Sequence, residues 1–340
     1  MLTFIARRLL MTLLVLIGIS IMTFALTHIV PGNPVRLMAG QHATEEQVRV
    51  LAERYGLDKP VLTQFRIYMV GLLHGDLGMS LTYRRPVLDD ILQFLPASIE
   101  LTLAAVILVV LIGLPVGLIA GVQRGKPLDH ALRFLTVGGV SMPIFWLGIL
   151  LQILFYKQLH VLPIGGRLGI ADIEPDQVTG FYLIDTLAEG DMNGFRSALV
   201  HLILPAFTLA AGSVAVISRM MRASVIEVLD ADYVRTARAK GLANGRILCR
   251  HVFRNALVPT TTVFGLQVGA LLAGNLLAEV VFNWPGIGLY AVNAIKNLDY
   301  PAIMGVTLVV SVIYVFVNLL VDIAYAVLDP RIGLGGVPQR

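Results

Sequence analysis

Six stretches of the sequence are apolar for about 20 residues each, which is the length that a helix needs to cross the hydrocarbon core of a bilayer. Their residues do not alternate between polar and apolar at every second position, as they would in the strands of an outer-membrane barrel. The six predicted spans are Leu9–Val30, Leu101–Val122, Phe134–Tyr156, Leu199–Ser218, Val258–Leu277 and Ala302–Val321, the last of which continues past Asp322 to Val327. The pattern therefore predicts an all-α integral membrane protein with six transmembrane helices.

The composition agrees with this pattern and excludes several classes of protein. Hydrophobic residues make up 56% of the 340 residues and charged residues only 14%, whereas a soluble domain has about 25% charged residues. So few charges cannot cover a water-exposed surface, and they equally exclude a disordered regulator, a disulfide scaffold and a nucleic-acid-binding protein. The single cysteine, Cys249, has no partner for a disulfide and no metal-ligand spacing around it, so we expect it to be inert.

Basic residues are distributed unequally between the two ends of the spans. If the N-terminus lies inside, 15 of the 26 Lys and Arg but only six of the 22 Asp and Glu fall in the inner segments. Cytoplasmic segments of membrane proteins carry such an excess of positive charge. The asymmetry predicts that both termini lie in the cytoplasm, which six spans allow.

The first span has one feature of a secretory signal peptide, because Arg7 and Arg8 precede its apolar run. The run is longer than the apolar region of a signal peptide, which has about 7–15 residues, and no cleavage site of small residues ends it. We therefore expect this segment to be retained as a span.

The segments between the spans divide the chain into four parts. Residues 1–30 hold the N-terminus and the first span, and residues 31–98 form a periplasmic segment with helical signals. Residues 99–281 hold spans two to five, with a long cytoplasmic segment at 219–257. Residues 282–340 hold the last outer loop, the sixth span and the cytoplasmic C-terminus.

The periplasmic segment carries the signature of a helix start. Thr44 and Gln47 have the spacing of a capping box, and apolar residues then recur at helical spacing until Gly56. A second apolar stripe follows Pro60. We expect a small helical cap on the membrane face, with a docking platform for an outside partner as the alternative.

The other two outer segments show weaker patterns. The segment Lys157–Ala198 is polar and rich in Gly and Asp, which predicts an ordered loop and not a domain. The segment Phe282–Pro301 contains the helix breaker Pro285, and Trp284 is a residue type that suits a membrane interface, so we expect an interfacial turn.

The cytoplasmic segment 219–257 is far longer than a connection between two helices requires. Asp232 can cap a short helix that Gly241 ends, with basic residues and small alanines between them. Attraction to anionic lipid, about 1 kcal/mol per Lys or Arg near the surface, would account for the charge but not for the capped helix. The combination favours a helix that docks into a groove of a partner.

At this helix the sequence resembles the permease subunits of ABC importers. The residues Asp232–Gly241 fit the form Asp-Tyr-x-Arg-Thr-Ala-x-Ala-Lys-Gly of the peptide and nickel branch, although Arg235 replaces the glutamate of the wider Glu-Ala-Ala signature. The insertion Thr179–Asp185 is similar to the first (B-type) permease of dipeptide and D,D-dipeptide importers, and shorter glutathione-type relatives lack it. The resemblance continues through His251 and Arg254-Asn255-Ala256, and also through Pro31-Gly32-Asn33-Pro34, Gly75-Asp76-Leu77-Gly78, Ser141-Met142-Pro143, Gln267-Val268-Gly269, Asn283-Trp284-Pro285-Gly286 and Asp329-Pro330-Arg331.

The resemblance implies the type I permease fold of ABC importers and a division of labour among subunits. Two related six-span permeases would form the translocation path, and two cytoplasmic P-loop ATPases would dock on one coupling helix from each. A periplasmic binding protein would deliver a dipeptide or oligopeptide. ATP and Mg would be bound by the ATPases, so this chain would be a multi-pass transport subunit of the bacterial inner membrane with no cofactor, metal or catalytic residue of its own.

The same resemblance implies the residues that couple this chain to the ATPases. Among them we expect the side chains of Tyr233, Arg235, Thr236 and Arg238 to contact the ATPase. The full predicted set is Asp232, Tyr233, Arg235, Thr236, Ala237, Arg238, Lys240 and Gly241.

Polar and small residues within the spans give further expectations. Ser141, Gln267 and Asn275 are candidates to line the translocation path, with hydrogen bonding between helices as the alternative. Three glycines recur at every fourth residue of the second span and predict close packing against a neighbouring helix: Gly113, Gly117 and Gly121.

Motifs that are absent from the sequence limit the other functions. There is no G-x-x-x-x-G-K-[ST] phosphate loop and no HExxH metal motif. The acids Glu100, Glu279 and Asp322 lie near span ends and not at the membrane centre, where proton-coupled transporters place them. Import of nickel or glutathione is the nearest alternative, and a self-sufficient secondary transporter, channel or membrane enzyme is less well supported.

Overall fold

The computed structural model describes residues 2–29, 44–55, 58–176 and 178–328. Within these ranges the regular structure is helical, with one isolated bridge between Met79 and Pro86. The motifs at residues 31–34 and 329–331, and the helix end expected at Gly56, lie outside the described residues. In chain order the helices are α1 (Leu2–Ile29), α2 (Glu45–Tyr55), α3 (Val61–Leu73), α4 (Val87–Val122), α5 (Pro127–Ser141), α6 (Ile144–Gln158), α7 (Tyr182–Glu189), α8 (Met192–Leu229), α9 (Asp232–Ala239), α10 (244–281), α11 (Ile287–Lys296) and α12 (Tyr300–Leu328).

Four helices in the described part of the chain are long and apolar enough to cross a membrane, namely α4, α8, α10 and α12. Shorter apolar helical stretches cover Leu10–Ala25, Val61–Leu73 and Ile144–Gln158. The first and third predicted spans fall on two of these shorter stretches. The described residues thus form an all-helical membrane protein with four candidate spans.

The third predicted span is broken in its middle. Helix α5 ends at Ser141 and α6 begins at Ile144. Pro143 has no N–H to donate and disfavours helical backbone in the residue before it, and Met142 is accordingly extended, with φ −96° and ψ 135°. The prediction of one continuous helix over Phe134–Tyr156 is wrong at this point.

Two of the predicted outer segments contain helices that the apolar pattern did not indicate. The segment predicted as an ordered loop holds α7, and α8 begins at Met192, before the predicted start of the fourth span. The side chain of Asp191 caps α8 by accepting a hydrogen bond from the N–H of Asn193 at 3.1 Å.

The segment predicted as an interfacial turn holds α11. Trp284 is buried and donates its indole N–H to the carbonyl of Ala97 at 2.9 Å, so its side chain packs within the protein and is not exposed at the surface.

The chain divides into two compact units, the first of which comprises Met1–Pro96 and Gly286–Phe316. The predicted capping box is confirmed here, because the N–H of Gln47 donates to Thr44 Oγ1 at 3.3 Å and the N–H of Thr44 donates to Gln47 Oε1 at 2.9 Å.

Tyr290 donates its hydroxyl to Asp90 at 2.8 Å, and burial together with this carboxylate raises the pKa of the hydroxyl. The apolar core of this unit consists of Val87, Ile91, Ile287, Tyr290, Ala294, Ala302 and Val306.

The second unit comprises Ala97–Pro285 and Val317–Arg340. In it α4 packs closely on α8 at the three glycines that recur at every fourth residue, Gly113, Gly117 and Gly121, which we call the glycine ladder. A Cβ atom on Gly117 would lie 2.6 Å from Met221 Cβ, and one on Gly121 would lie 2.6 Å from Val225 Cγ1. Larger residues at these positions would force the helices apart, so the prediction of close packing is confirmed. The largest core cluster of the unit includes Leu101, Ala105, Val109, Leu202, Leu209, Ile217, Leu271 and Trp284.

Candidate functional site

The short helix α9 lies in the segment between α8 and α10, where the sequence predicted it. Its N-cap is Ala231, which has extended backbone and no side chain that could accept a hydrogen bond. The prediction that Asp232 caps the helix is therefore wrong. Asp232 is the first helical residue, where a negative charge favours the positive end of the helix dipole, and it pairs with Arg235 at 3.4 Å.

The C-terminal end of α9 is closed by a Schellman motif. The N–H of Gly241 donates to the carbonyl of Arg238 at 2.9 Å, and the N–H of Leu242 donates to the carbonyl of Ala237 at 3.3 Å. Gly241 has φ +74°, a left-handed conformation that glycine adopts without steric cost. Gly241 thus terminates the helix, as predicted.

One face of α9 is part of an apolar cluster with its two neighbouring helices. Val234 is fully buried and Ala237 nearly so. The cluster also contains Met221 and Val225 of α8 and Ile247, Val252 and Ala256 of α10. Because α9 contacts both long helices, a displacement of α9 must either move α8 and α10 with it or break these contacts.

The opposite face of α9 is polar, exposed and largely basic. Tyr233 is 46% exposed, and the ion pair between Asp232 and Arg235 is at the surface, with side chains 95% and 68% exposed. Within the described part of the chain, Arg238 and Lys240 have no acidic partner. The structure thus divides the predicted coupling set: Ala237 faces the interior and Gly241 ends the helix, while the exposed members are Asp232, Tyr233, Arg235, Thr236, Arg238 and Lys240.

The three candidates for the translocation path are engaged in separate contacts. Ser141 donates its hydroxyl to the carbonyl of Val137 in its own helix at 2.9 Å. Gln267 of α10 accepts a hydrogen bond from Ser213 of α8 at 2.9 Å. Asn275 is buried and donates its amide to Thr102 Oγ1 of α4 at 2.7 Å and to the carbonyl of Ser98 at 3.0 Å. The contacts of Gln267 and Asn275 are of the kind that joins neighbouring helices.

A second polar cluster, which we call the loop cluster, consists of Glu100, Arg167, Tyr182 and Gly180. Arg167 donates to Glu100 Oε2 at 2.6 Å and to the carbonyl of Gly180 at 2.9 Å. Both charged side chains are buried, with 6% and 7% of their surface exposed. The guanidinium lies 3.5 Å from the centroid of the Tyr182 ring, which is close enough for a cation–π contact.

The turn beside the loop cluster is organised by a second buried acid. Asp185 accepts hydrogen bonds from the N–H and the hydroxyl of Thr179 at 2.9 and 2.7 Å and from the N–H of Gly180 at 2.8 Å. The residues Thr179–Asp185 therefore form a hydrogen-bonded turn that leads into α7 and supplies the carbonyl for Arg167. Sequence reasoning missed this arrangement because Arg167 and Glu100 are 67 positions apart and no local pattern connects them.

A partly buried ion pair also links the start of α5 to α8. The guanidinium of Arg222 makes two hydrogen bonds to the carboxylate of Asp129, each 2.7 Å long, and the N–H of Gly125 donates to the same carboxylate at 3.0 Å. The hydrogen bond from Arg222 holds the pKa of Asp129 well below its ordinary value. Asp129 therefore stays ionised at any physiological pH.

Comparison with known proteins finds matches along nearly the whole length of the chain. Residues 113–334 match the family described as binding-protein-dependent transport system inner membrane component, and residues 1–102 match the N-terminal region described for such membrane components. The chain is similar to the probable D,D-dipeptide transport system permease protein DdpB of Escherichia coli K12, with 47% identity over 95% of each chain. It is also similar to the di/tripeptide transport system permease protein DppB of Pseudomonas aeruginosa, with 46% identity, and to the dipeptide transport system permease protein DppB of Escherichia coli K12, with 45%. Both of these matches cover 98% of this chain and 99% of the relative.

Proposed function

The chain belongs to the family of binding-protein-dependent transport system inner membrane components, and on this premise we propose that it is the permease through which an ATP-driven importer moves dipeptides or oligopeptides across the inner membrane. The observation that carries the proposal is the end-to-end similarity to three permeases that are named for peptide substrates. The resemblance of the segment Thr179–Asp185 to dipeptide-type permeases agrees with it.

We propose that the chain crosses the membrane six times with both termini in the cytoplasm. The four long apolar helices support this count, together with the apolar stretches Leu10–Ala25 and Ile144–Gln158. The distribution of Lys and Arg supports the orientation. In this arrangement residues 31–98 are periplasmic and residues 219–257 are cytoplasmic.

Helix α9 is the proposed contact with the ATPase subunits. Its exposed polar face leaves Tyr233, Arg235 and Arg238 accessible to a partner, and its buried face joins it to α8 and α10. When ATP and Mg close the ATPase dimer, a helix attached in this way passes the motion to two spans as a rigid lever. A change of this kind needs two states of the permease that ATP and substrate favour differently.

The other components follow from the same proposal. A second permease completes the path, two ATPase subunits bind ATP, and a periplasmic binding protein delivers the peptide. The chain itself has no phosphate loop in its sequence, so the energy of transport comes from its partners. Ser141, Gln267 and Asn275 remain candidates for the path, with Gln267 and Asn275 also serving to join helices.

The test is uptake of a radiolabelled dipeptide by proteoliposomes that contain the complete importer. We expect uptake to require ATP and the binding protein, and to fall by more than about tenfold in the double variant Arg235→Glu and Arg238→Glu, because reversed charge repels the partner surface. The double variant Arg66→Glu and Arg196→Glu, which changes two exposed residues at the predicted outer face, is the control and should transport normally.

Three results would contradict the proposal. Normal ATP-driven uptake by the α9 variant would remove α9 from the coupling path. Uptake of glutathione or nickel in place of the dipeptide would reassign the substrate. Transport by this chain alone, in vesicles without ATP, would make it a self-sufficient transporter.

A further inference from the structure

A shallow, open groove lies between α4, α5 and α8, beside the ion pair of Arg222 and Asp129. Its floor is apolar and includes Val116 and Ala120 of α4 and Leu132 of α5. Arg133 of α5 and Arg219 of α8 also line it, and both are exposed. The groove thus combines an apolar surface with two exposed arginines beside it.

The charges around the groove are not balanced. Arg222 also lines it, but its guanidinium is held by Asp129 in two hydrogen bonds of 2.7 Å. Arg133 and Arg219 form no ion pair with any side chain in the described ranges. Arg133 is still near enough to Asp129 for its positive charge to help lower the pKa of that carboxyl. Three arginines against one aspartate leave a net charge of about +2 around an apolar surface.

The predicted spans put the groove at the depth where lipid headgroups meet hydrocarbon. Arg133 directly precedes the third predicted span and Arg219 directly follows the fourth. Next to Arg133, helix α5 exposes three apolar side chains, which an isolated helix in water would not tolerate but which lipid chains would cover: Phe134, Leu135 and Val137. A ligand at this site therefore meets positive charge at one end and hydrocarbon at the other.

We propose that this groove binds one anionic phospholipid. Arg133 and Arg219 hold its phosphate, and an acyl chain lies along Val116, Ala120 and Leu132. Basic pockets between transmembrane helices are suited to acidic headgroups, and arginine matches the geometry of a phosphate oxygen pair. The ion pair of Arg222 with Asp129 fixes the wall of the groove and is not itself available to the lipid. The inference goes beyond the proposed transport function and does not depend on which solute is carried.

The experiment is native mass spectrometry of the purified chain in neutral detergent, titrated with dioleoyl phosphatidylglycerol or dioleoyl phosphatidylcholine. The two lipids have the same acyl chains and differ in net charge. We expect one phosphatidylglycerol to bind about tenfold more tightly than phosphatidylcholine. The double variant Arg133→Gln and Arg219→Gln should bind both lipids equally.

Two further variants distinguish a specific lipid-binding site from general attraction between basic residues and anionic lipid. Arg246→Gln with Arg250→Gln removes two exposed arginines from the same predicted side of the membrane but outside the groove, and should change the affinity for phosphatidylglycerol by less than about twofold. Thr136→Trp keeps every charge but fills the groove, which Thr136 also lines, and should weaken binding as strongly as the loss of both arginines.

The proposal is overturned if the wild-type chain does not distinguish the two lipids, or if both pairs of arginine variants lose the same affinity. It is also overturned if inorganic phosphate displaces phosphatidylglycerol when the two are present at about equal concentrations, because a free anion would then be the ligand. Monodisperse elution of each variant establishes that a loss of binding is not a loss of fold.

Discussion

Helix α9 and the loop cluster place their charges in opposite ways. In α9 the apolar residues Val234 and Ala237 are buried and the charged residues are exposed, whereas in the loop cluster Arg167 and Glu100 are themselves buried. The ion pair of α9 is 3.4 Å long and at the surface, and the ion pair of the loop cluster is 2.6 Å long and nine-tenths buried. The charges of α9 are therefore available to another protein, and those of the loop cluster hold this chain together.

The difference should be largest when one partner of each pair is removed. Among the described residues, Arg167→Ala leaves the buried Glu100 with only the N–H of Leu183 as a donor, at 3.0 Å. Removing one member of a buried pair costs about 3–5 kcal/mol. We expect a large drop in the melting temperature of the purified protein in detergent. The double variant Arg167→Met with Glu100→Gln removes both charges and should recover much of that loss. A melting temperature that is unchanged in Arg167→Ala would show that the pair does not stabilise the fold.

The two regions also differ in how much of them the sequence reveals. The capping box at Thr44, the glycine ladder at Gly117 and the helix end at Gly241 were predicted correctly because each depends on residues within a few positions of one another. The ion pair of Arg167 with Glu100 depends on how two distant segments are brought together, which no local pattern encodes.

Other differences from the prediction have local causes that hydrophobicity alone does not weigh. Pro143 breaks the third predicted span although the residues on both sides of it are apolar. Pro285 lies in the turn that separates α10 from α11, as predicted, but the apolar pattern did not indicate that a helix would follow at Ile287. Ala231 takes the N-cap position in place of Asp232 because the helix starts at Asp232 itself, one residue earlier than the side-chain chemistry suggested.

A smaller effect is expected from the backbone at the end of α9. A Cβ atom at Gly241 would meet nothing within 4 Å, so the cost of Gly241→Ala comes only from its φ of +74°. A left-handed alanine costs about 1–2 kcal/mol, and we expect the amides of Gly241 and Leu242 to exchange with deuterium about tenfold faster. Gly245→Ala is the matched control, because its Cβ also points into open space and its φ is not positive. Equal exchange in the two variants would exclude the Schellman motif as the feature that holds this end of the helix.

The smallest effect is expected at the exposed pair of α9, and this makes it the sharpest test of the comparison. Asp232→Asn removes a carboxylate that is 95% exposed and that lies 3.4 Å from Arg235. Surface ion pairs contribute little because water screens them, so we expect the melting temperature to change by less than about 2 °C. Raising the salt concentration should reduce even that change, whereas the effect of Arg167→Ala should persist because its partner is buried. A loss of stability in Asp232→Asn as large as that in Arg167→Ala would mean that the charges of α9 stabilise this chain, and the distinction between a binding face and a structural cluster would fail.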